Sequence, residues 1–581
     1  MGSIFEKNKL TSFPLGKIIG ALGGILVLAT VFAVEPSLKN GLVMGQVFWF
    51  HRVVFILTII VLQGEVFSKI YLRTSESSVC HNNNSVYINI ALPDILILTF
   101  GGITLLTYNW PLHPEPEKLL FGGQLILLWF ILRVLLKRYP ALKNVFLIFI
   151  MLTGLMQSIW GLEQLYGYRG SYHSLFRLTG SFFNPGPYSG YLAIIFPVAL
   201  HFILRIGKFR KYPWWHYITI SYYTSWVTLI SMLLVLPAGM SRSAWLAAGI
   251  SCTWVYWMQR MGWKKMKERI NTHRKWTIPV SALVIGCLFI GIIALFLLKK
   301  DSANGRLLMW KITTQAIIHQ PIPGVGLGGF PTAFASEQAA YFMSGNASAT
   351  EKLVAGSPEY AFNEYLQIGL EQGIVGLVCF LLWFFYCFYV GIRNRRIGAA
   401  GGILAFIVFA SFSYPLQLPS FWVLLIFLSA ICVSEPCFFI LKKPFSFKAN
   451  ILFVVLLAAL LSGACCFLQQ KRYHAYKEWT SFANYEELYP LLNHKPEYLF
   501  DYAQYLNRTE RYQDAYQLLK RATQLSADPM IWYMLGKNAQ ALGHYKEAEM
   551  HLLHGANILP ITRTYLSLLP ADKTICLPGI L

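Results

Sequence analysis

Long apolar runs separated by short polar loops make up most of the chain before residue 470. Several runs approach the ~20 residues that an α-helix needs to cross a bilayer. The pattern predicts an all-α, polytopic membrane bundle of about 13 spans. The predicted spans are 18–34, 43–65, 86–107, 119–136, 144–162, 187–205, 216–236, 243–258, 277–298, 366–391, 399–415, 419–435 and 449–468.

Lysine and arginine concentrate in alternate loops, which predicts the orientation of the bundle. These basic loops all lie on one side if the N-terminus is cytoplasmic, as the positive-inside rule expects. The first run then predicts a retained helix rather than a cleaved signal peptide, because no convincing small-residue cleavage site follows it. The basic loops lie near 69–73, 137–143, 205–211, 260–275, 393–396 and 442–448, and the opposite side carries 163–186, 237–242, 299–365 and the C-terminal region.

The loop 299–365 is much longer than a helix connection requires. Loops of that length are usually functional or disordered. A helical pattern from 307 to 318, together with prolines and aromatic residues, predicts an ordered loop.

The composition changes near residue 470, where charge rises and amphipathic helices are predicted. The pattern of Trp532, Leu535 and Gly536 followed by Tyr545 and Ala548 matches the tetratricopeptide template. A second copy lies upstream, with 512, 515, 519 and 522 standing over 545, 548, 552 and 555. We therefore predict a membrane domain at 1–468 and a soluble α-helical repeat domain at 470–581, capped by helices at 472–492 and 562–570. Such stacks typically dock protein partners.

The composition excludes most soluble classes. The 581 residues are 55% hydrophobic and only 13% charged, with a mean hydropathy of +0.48. The net charge of +22 does not predict nucleic-acid binding, because the basic residues follow the membrane loops. The ten cysteines include no CxxC or Cys/His ligand spacing, so we predict no structural metal and no cofactor.

Three arginines fall on the predicted extracytoplasmic side. Arg242 follows Ser241 at the mouth of the eighth span, Arg306 lies in the long loop, and Arg177 precedes the sixth span. Each alone could be an interfacial or solvated charge. Together they favour binding of a polyanion at the membrane surface, since the guanidinium fork suits phosphate.

Three glutamates surround the start of the tenth predicted span. Glu364, Gln367 and Glu371 share one helical face by their spacing, and Glu359 precedes them. Glu371 is expected about one turn inside the apolar run, where an ionisable group is a functional candidate by default. The alternative is an ion pair with a nearby arginine that fixes the position of the helix.

The motif Gly324-x-Gly326-x-x-Gly329 spells a dinucleotide-binding fingerprint. It follows no predicted strand and opens no βαβ unit, so we reject a nucleotide role. We expect the glycines to allow a tight turn and a close backbone approach.

A series of motifs between about 170 and 430 resembles the O-antigen ligase and O-antigen polymerase superfamily. The motifs are F-x-N-P ending at Pro185, S-R-S-A-W-L-A from Ser241, R-x3-W from Arg306 to Trp310 followed by P-x2-G-V-G-L-G-x-F, and N-x-Y-L-Q-x-G-L-E-Q-G from Asn363. The resemblance implies a GT-C-like membrane fold and a glycosyltransferase. It would transfer a glycan from an undecaprenyl-diphosphate carrier to a hydroxyl of a lipid or protein acceptor, as in surface-polysaccharide or lipopolysaccharide biosynthesis.

The resemblance also implies roles for individual residues. Arg242 and Arg306 match the family's functional arginines, and we assign them, with Arg177, to the diphosphate. Trp310, Asn184 and Glu371 are expected to position the site. Many members carry His-Asn where this chain has Phe362-Asn363, and that histidine is the proposed general base. Because phenylalanine accepts no proton, the base is expected to be Glu364, with Glu359 in reserve and Asn363 beside them. The alternatives are an acceptor that needs little activation, or an altered or lost activity.

Several functions stay open at this stage. Ligase, polymerase and protein O-oligosaccharyltransferase cannot be separated, although ligase is favoured. A lipid-linked glycan transporter or a non-catalytic assembly subunit is the alternative of another class. A transporter would be expected to have repeated halves with interrupted helices, and the sequence has no such symmetry. The predicted location is the bacterial inner membrane, with the repeat domain in the periplasm and available to a protein partner.

Overall fold

The computed structural model describes residues 14–75, 90–110, 116–206, 217–260, 300–435, 450–480 and 484–559. The regular structure within these ranges is helical and includes no sheet strand, which confirms the all-α prediction. The predicted ninth span at 277–298, most of the basic loop at 260–275 and the predicted capping helix at 562–570 lie outside the described residues.

The helices follow the apolar pattern of the sequence and often begin at proline or at a capping side chain. In the first half they are α1 Pro14–Leu28 (extended by a 3₁₀ turn, Ala29–Phe32), α2 Gly41–Ser75, α3 Leu92–Leu106, α4 Glu117–Arg138, α5 Leu142–Leu165, α6 Pro185–Ile206, α7 Tyr217–Val235 and α8 Arg242–Arg260. The next are α9 Lys300–His319, α10 Phe330–Met343, α11 Ala349–Val354, α12 Glu364–Glu371, α13 Gly373–Arg393, α14 Ile397–Ala410, a 3₁₀ turn at Pro415–Gln417 and α15 Pro419–Cys432. The last are α16 Asn450–Thr480, α17 Tyr485–Leu492, α18 Pro496–Arg508, α19 Tyr512–Thr523, α20 Pro529–Ala541 and α21 Tyr545–Ile558.

Six helices in the described ranges are long and apolar enough to cross a membrane, and four more are apolar but shorter. The long segments are Gly41–Val61, Glu117–Arg138, Leu142–Leu165, Pro185–Arg205, Ile218–Val235 and Gly373–Arg393. The predicted span at 243–258 lies within α8, and the predicted span at 449–468 is helical from Asn450 onward, in α16. The count of about 13 spans stays a prediction.

Helix α15 forms the centre of the membrane bundle. Nearly every residue from Pro419 to Cys432 is buried, and its side chains join a core shared with α4, α6, α13 and α14. A helix that is apolar on all sides is typically enclosed by other helices. Small residues bring its neighbours close: a Cβ at Gly402 in α14 would lie 3.2 Å from the Ile194 carbonyl oxygen of α6.

The predicted tenth span at 366–391 is wrong as a single helix. The chain breaks into α12 and α13, and Gly373 adopts a positive φ of 68°. A Cβ there would lie 1.9 Å from the carbonyl oxygen of Ile322, and the Ile374 N–H donates to the carbonyl of Pro321 at 2.9 Å. The long loop, at Pro321 and Ile322, therefore packs against the junction of α12 and α13. Glu371 is the last residue of α12 and does not lie inside the span.

The long loop is ordered, as predicted. Helix α9 spans Lys300–His319 and includes the helix predicted at 307–318, and α10 and α11 follow it. Leu308, Ile312 and Phe334 are buried in one apolar cluster with Leu370 of α12. The loop is therefore packed against the helix that starts at Asn363.

The C-terminal helices form antiparallel pairs, α18 with α19 and α20 with α21. The small residues predicted from the two repeat copies are buried between them, including Ala515, Ala522 and Ala548. A Cβ on Gly536 would lie 2.7 Å from Leu552 Cγ, which explains the glycine in the template. Helix α16 runs through residue 469 without a break, so one helix joins the membrane bundle to the repeats.

The repeat helices are fixed to the rest of the molecule at both ends. Near their start, Lys495 Nζ lies 2.6 Å and His494 Nε2 lies 3.2 Å from Glu117 Oε2. Near their end, Gln338 Nε2 of α10 donates to the carbonyl of Ile558 at 2.6 Å. The repeats and the long loop therefore lie on the same side of the bundle.

Candidate functional site

Two of the three predicted arginines meet where α8 and α9 begin. Arg242 is the first residue of α8, and Arg306 lies in the second turn of α9. Burial lowers the pKa of the Arg306 guanidinium, and the positive charge of Arg242 lowers it further, while Tyr414 opposes the change. Two guanidinium groups in one partly buried place repel each other, and a bound anion would offset that cost.

The third arginine is placed differently. Arg177 is exposed on the loop between α5 and α6, whereas Arg242 and Arg306 are partly buried. The partly buried arginines of the site are Arg242 and Arg306, and a role for Arg177 stays a prediction.

Aromatic rings cover the Arg306 side chain. The guanidinium carbon lies 5.4 Å from the centroid of the Phe362 ring, a distance typical of a cation–π contact. The Tyr414 ring contacts Phe362 at 4.9 Å, Tyr360 at 5.1 Å and Phe183 at 6.3 Å between centroids. These rings exclude water from one side of the cation, which strengthens its attraction for an anion.

Phe362 has an unusual backbone conformation, with φ of +52°. A bulky residue in this region is an outlier and costs on the order of 1–3 kcal/mol. The next residue helps to hold the turn: Asn363 Oδ1 caps α12 by accepting from the N–H groups of Tyr365 at 3.0 Å and Leu366 at 3.2 Å. Asn363 thus fixes the position of Phe362 over Arg306.

Glu364 is enclosed by the segment that follows α14. Its side chain is 1% exposed, and its carboxylate accepts from the Leu416 N–H at 2.5 Å and from Gln417 Nε2 at 3.3 Å. Burial raises the pKa of Glu364 to about 8. The contact holds the 3₁₀ turn that directly follows Tyr414.

Glu371 is part of a second chain of hydrogen bonds. Gln367 Nε2 donates to Glu371 Oε1 at 2.9 Å, and Gln367 Oε1 accepts from the Ala361 N–H at 2.8 Å. Glu371 is therefore hydrogen-bonded to the side-chain amide of Gln367, whereas the sequence had also allowed an ion pair with an arginine. These hydrogen bonds fix Ala361, which lies between Tyr360 and Phe362. The geometry therefore suits a positioning role for Glu371.

Glu359 is exposed at the mouth of the site. Its carboxylate forms a hydrogen bond with Tyr360 and acts electrostatically on Tyr414. Glu497, at the start of α18, is close enough to interact electrostatically with Glu359. The repeat helices therefore approach this mouth.

Two further predicted residues support the site from its edges. Trp310 lies one turn after Arg306, with its ring 6.0 Å from Phe412, and its buried Nε1 has no hydrogen-bond partner among the described residues. Asn184 Oδ1 accepts from the Gly186 N–H at 3.0 Å at the start of α6, close in sequence to Phe183. Within the described ranges, no group of three His, Cys, Asp or Glu residues could hold a metal ion.

The glycine motif has a structural role. Gly324 and Gly326 have positive φ values of 66° and 89°. A Cβ on Gly324 would lie 2.6 Å from the Gly373 nitrogen, and one on Gly326 would lie 3.1 Å from the Thr107 carbonyl oxygen. The motif thus allows the close backbone approach expected from the sequence.

Sequence reasoning did not identify Tyr414, Tyr360 or Glu497 as neighbours of the arginines. Tyr414 comes directly before Pro415 at the end of an apolar run, as Asn184 comes before Pro185. That repeated signal could have identified Tyr414, whereas nothing local indicates the approach of Glu497.

The fold and the site define a membrane-embedded helical protein with an aromatic-covered cationic site beside a helical repeat domain. Comparison with protein families then finds a match within each part. Residues 227–381 match the family model described as O-antigen ligase. The matched range includes Arg242, Arg306 and the segment from Asn363 to Glu371. Residues 480–555 match the model described as anaphase-promoting complex, cyclosome, subunit 3, a tetratricopeptide-like repeat. No curated protein matches the chain.

These matches confirm the resemblance to an O-antigen ligase with a C-terminal tetratricopeptide-like domain. They support a transferase-type function on lipid-linked glycans in general terms.

Proposed function

We propose that this protein transfers a glycan from an undecaprenyl-diphosphate-type carrier to an acceptor hydroxyl. The observation that carries the proposal is the meeting of Arg242 and Arg306 in one partly buried place within the family-matched region. Paired guanidinium groups suit a diphosphate, because each can donate two parallel hydrogen bonds to phosphate oxygens.

The site is proposed to act at the outer face of the bacterial inner membrane. The basic loops predict that α9–α12 and the repeat helices are extracytoplasmic. Both lie on the same side of the bundle, joined by the bond from Gln338 to the Ile558 carbonyl. A lipid-linked donor needs no nucleotide there, because the bond to its diphosphate already activates the sugar.

The proposed step is a displacement at the anomeric carbon of the first sugar. The acceptor oxygen forms the new glycosidic bond, and the carbon–oxygen bond to the diphosphate breaks. The electron pair of that bond stays on the leaving diphosphate, which gains one negative charge. Arg242 and Arg306 would bind this charge more strongly as it grows, so they stabilise the transition state more than the bound donor.

The proton of the acceptor hydroxyl requires a base, and we place it on Glu359. Glu359 is exposed beside Tyr360 and Tyr414, whereas Glu364 is buried and already accepts from Leu416 and Gln417. The geometry therefore favours Glu359 over Glu364, and Phe362 offers no acceptor. Glu371, Gln367 and Asn363 would position the 359–363 segment.

The test uses purified protein in nanodiscs with lipid-diphosphate glycan donor and acceptor. Arg306→Ala should lower kcat by ~10²–10³, the usual effect of removing one donor from a developing negative charge. Arg242→Ala should behave similarly, and Arg242→Lys should rescue poorly, because a point charge does not reproduce the planar fork. Arg511→Ala, an exposed arginine of the repeat domain, is the matched control and should keep full turnover.

A wild-type rate for either alanine variant, at equal folded yield, would overturn the assignment. Loss of folding instead of turnover would indicate that the arginines serve the structure.

A further inference from the structure

A polar cleft of about 490 Å³ lies between the end of α3 and the glycine motif. Its volume falls within the ~300–1,000 Å³ typical of ligand sites. The side chains with hydrogen-bonding groups are those of Thr107, Asn109, Gln320 and Thr332, and the rest of the lining is small or apolar. None of the lining residues carries a formal charge.

The walls of the cleft are held rigidly. The N–H groups of Val325 and Gly326 donate to the carbonyls of Leu370 and Glu371 at 2.9 Å, which fixes the glycine motif to α12. On the other side, Gly326 lies directly against Thr107 and Asn109. The cleft is therefore built between two fixed segments and does not depend on a mobile loop.

The chemistry of the lining identifies the class of ligand. Hydroxyl and amide groups can both donate and accept hydrogen bonds, which matches a ligand rich in hydroxyl groups. The start of α10, at Gly329 and Thr332, also lines the cleft, but no arginine or lysine does, so a phosphate would find no full positive charge there. We propose that this cleft is a carbohydrate subsite that binds a sugar remote from the bond that is formed.

The position of the cleft agrees with a long glycan. Arg306 lies in the second turn of α9 and Gln320 directly follows its last residue, and a rise of 1.5 Å per residue places them roughly 20 Å apart. That distance spans several sugar rings. The subsite rests on the proposed transfer function, in which a lipid-linked or acceptor glycan would reach from Arg306 to Gln320.

The experiment compares long and short donors. The long donor is the lipid-diphosphate glycan isolated from a host strain that lacks this chain, and the short donor is the same lipid trimmed to one sugar. Thr332→Val and Gln320→Ala should each lower kcat/KM for the long donor by about fivefold, the effect of losing one net hydrogen bond. Neither variant should change kcat/KM for the short donor.

Thr523→Val is the matched control. Thr523 Oγ1 donates to the carbonyl three residues earlier, at 2.8 Å, as Thr332 Oγ1 does at 3.2 Å, but Thr523 lies in the repeat domain. It should leave both donors unaffected. Gln320 is exposed, so Gln320→Ala tests the subsite even if Thr332→Val folds poorly.

A second arm varies the length of the acceptor glycan at constant donor. A loss of kcat/KM that depends on the length of the donor or the acceptor glycan supports the subsite and identifies which of the two glycans occupies it. Equal loss with short and long glycans, or no loss with any, would overturn the proposal while the transfer function stands. If wild-type protein transfers from neither donor, the transfer function fails. Saturation-transfer NMR with the released oligosaccharide then tests the subsite separately: binding weakened by Gln320→Ala supports it, and no binding refutes it.

Discussion

Replacing Glu364 by glutamine separates the two candidate bases. In the folded protein burial raises the pKa of Glu364 to about 8 from its ordinary value of 4.5. Between these pH values the folded protein keeps the proton that the unfolded chain releases. The contribution of Glu364 to the free energy of unfolding is therefore fully present below pH 4.5, and it is lost as the pH rises through about 8.

The size of this effect follows from the shift. Each pKa unit corresponds to ~1.4 kcal/mol, so the full loss is on the order of 5 kcal/mol. Glutamine is neutral at every pH and can still accept from the Leu416 N–H through its carbonyl oxygen. Glu364→Gln should thus match wild type near pH 5 and exceed its thermal stability near pH 9.

The assay is thermal unfolding in nanodiscs from pH 5 to 9, paired with turnover at pH 7. At pH 7 the carboxyl of Glu364 is mostly protonated, so glutamine resembles it, and turnover should change by less than about threefold. Glu359→Gln is the companion variant, and it should slow transfer by ~10²–10⁴, the usual contribution of a general base.

A large loss of turnover in Glu364→Gln, with folding intact and Glu359→Gln fully active, would refute this reasoning. It would identify Glu364 as the base, as the sequence alone suggested. Full activity in both variants would mean that the acceptor needs no carboxylate base.

Phe362→His should restore the proton acceptor that many family members carry, and it should partly rescue Glu359→Gln, whereas Phe362→Leu should not. The rescued variant should gain an acidic limb in its pH–rate profile near the histidine pKa of ~6.5; turnover from pH 5 to 8 measures this, and an unchanged profile would contradict the placement of residue 362 beside the acceptor. Glu117→Ala should destabilise the junction of repeats and membrane bundle by up to ~3 kcal/mol, because it leaves the partly buried Lys495 without its carboxylate. Lys39→Ala, in the more exposed pair with Asp501, should cost no more than ~1 kcal/mol of stability. Limited proteolysis between residues 470 and 500 would compare the Glu117 and Lys39 variants. Equal protection of the two variants would contradict this difference in stability.

Much of this protein could be predicted from its sequence, because the signals are local. Apolar runs long enough for a bilayer predict membrane helices, and two copies of a small-residue pattern predict paired repeat helices. Counting spans also predicts that Arg242 and Arg306 share one membrane face, and this stays a prediction. Their motifs also indicated the family that the comparison confirmed over 227–381.

The tertiary structure decided what depends on segments distant in sequence. Periodicity placed Glu364 and Glu371 on one helix face, but Leu416 and Gln417 come from a turn about 50 residues later and enclose Glu364. The apolar run predicted one helix across Gly373, yet the backbone of Ile322 passes so closely that the helix must break there. Arg177, similar in sequence to the other arginines, is exposed, whereas Arg242 and Arg306 are partly buried. The surroundings of a side chain depend on the packing of the bundle, which a local pattern does not contain.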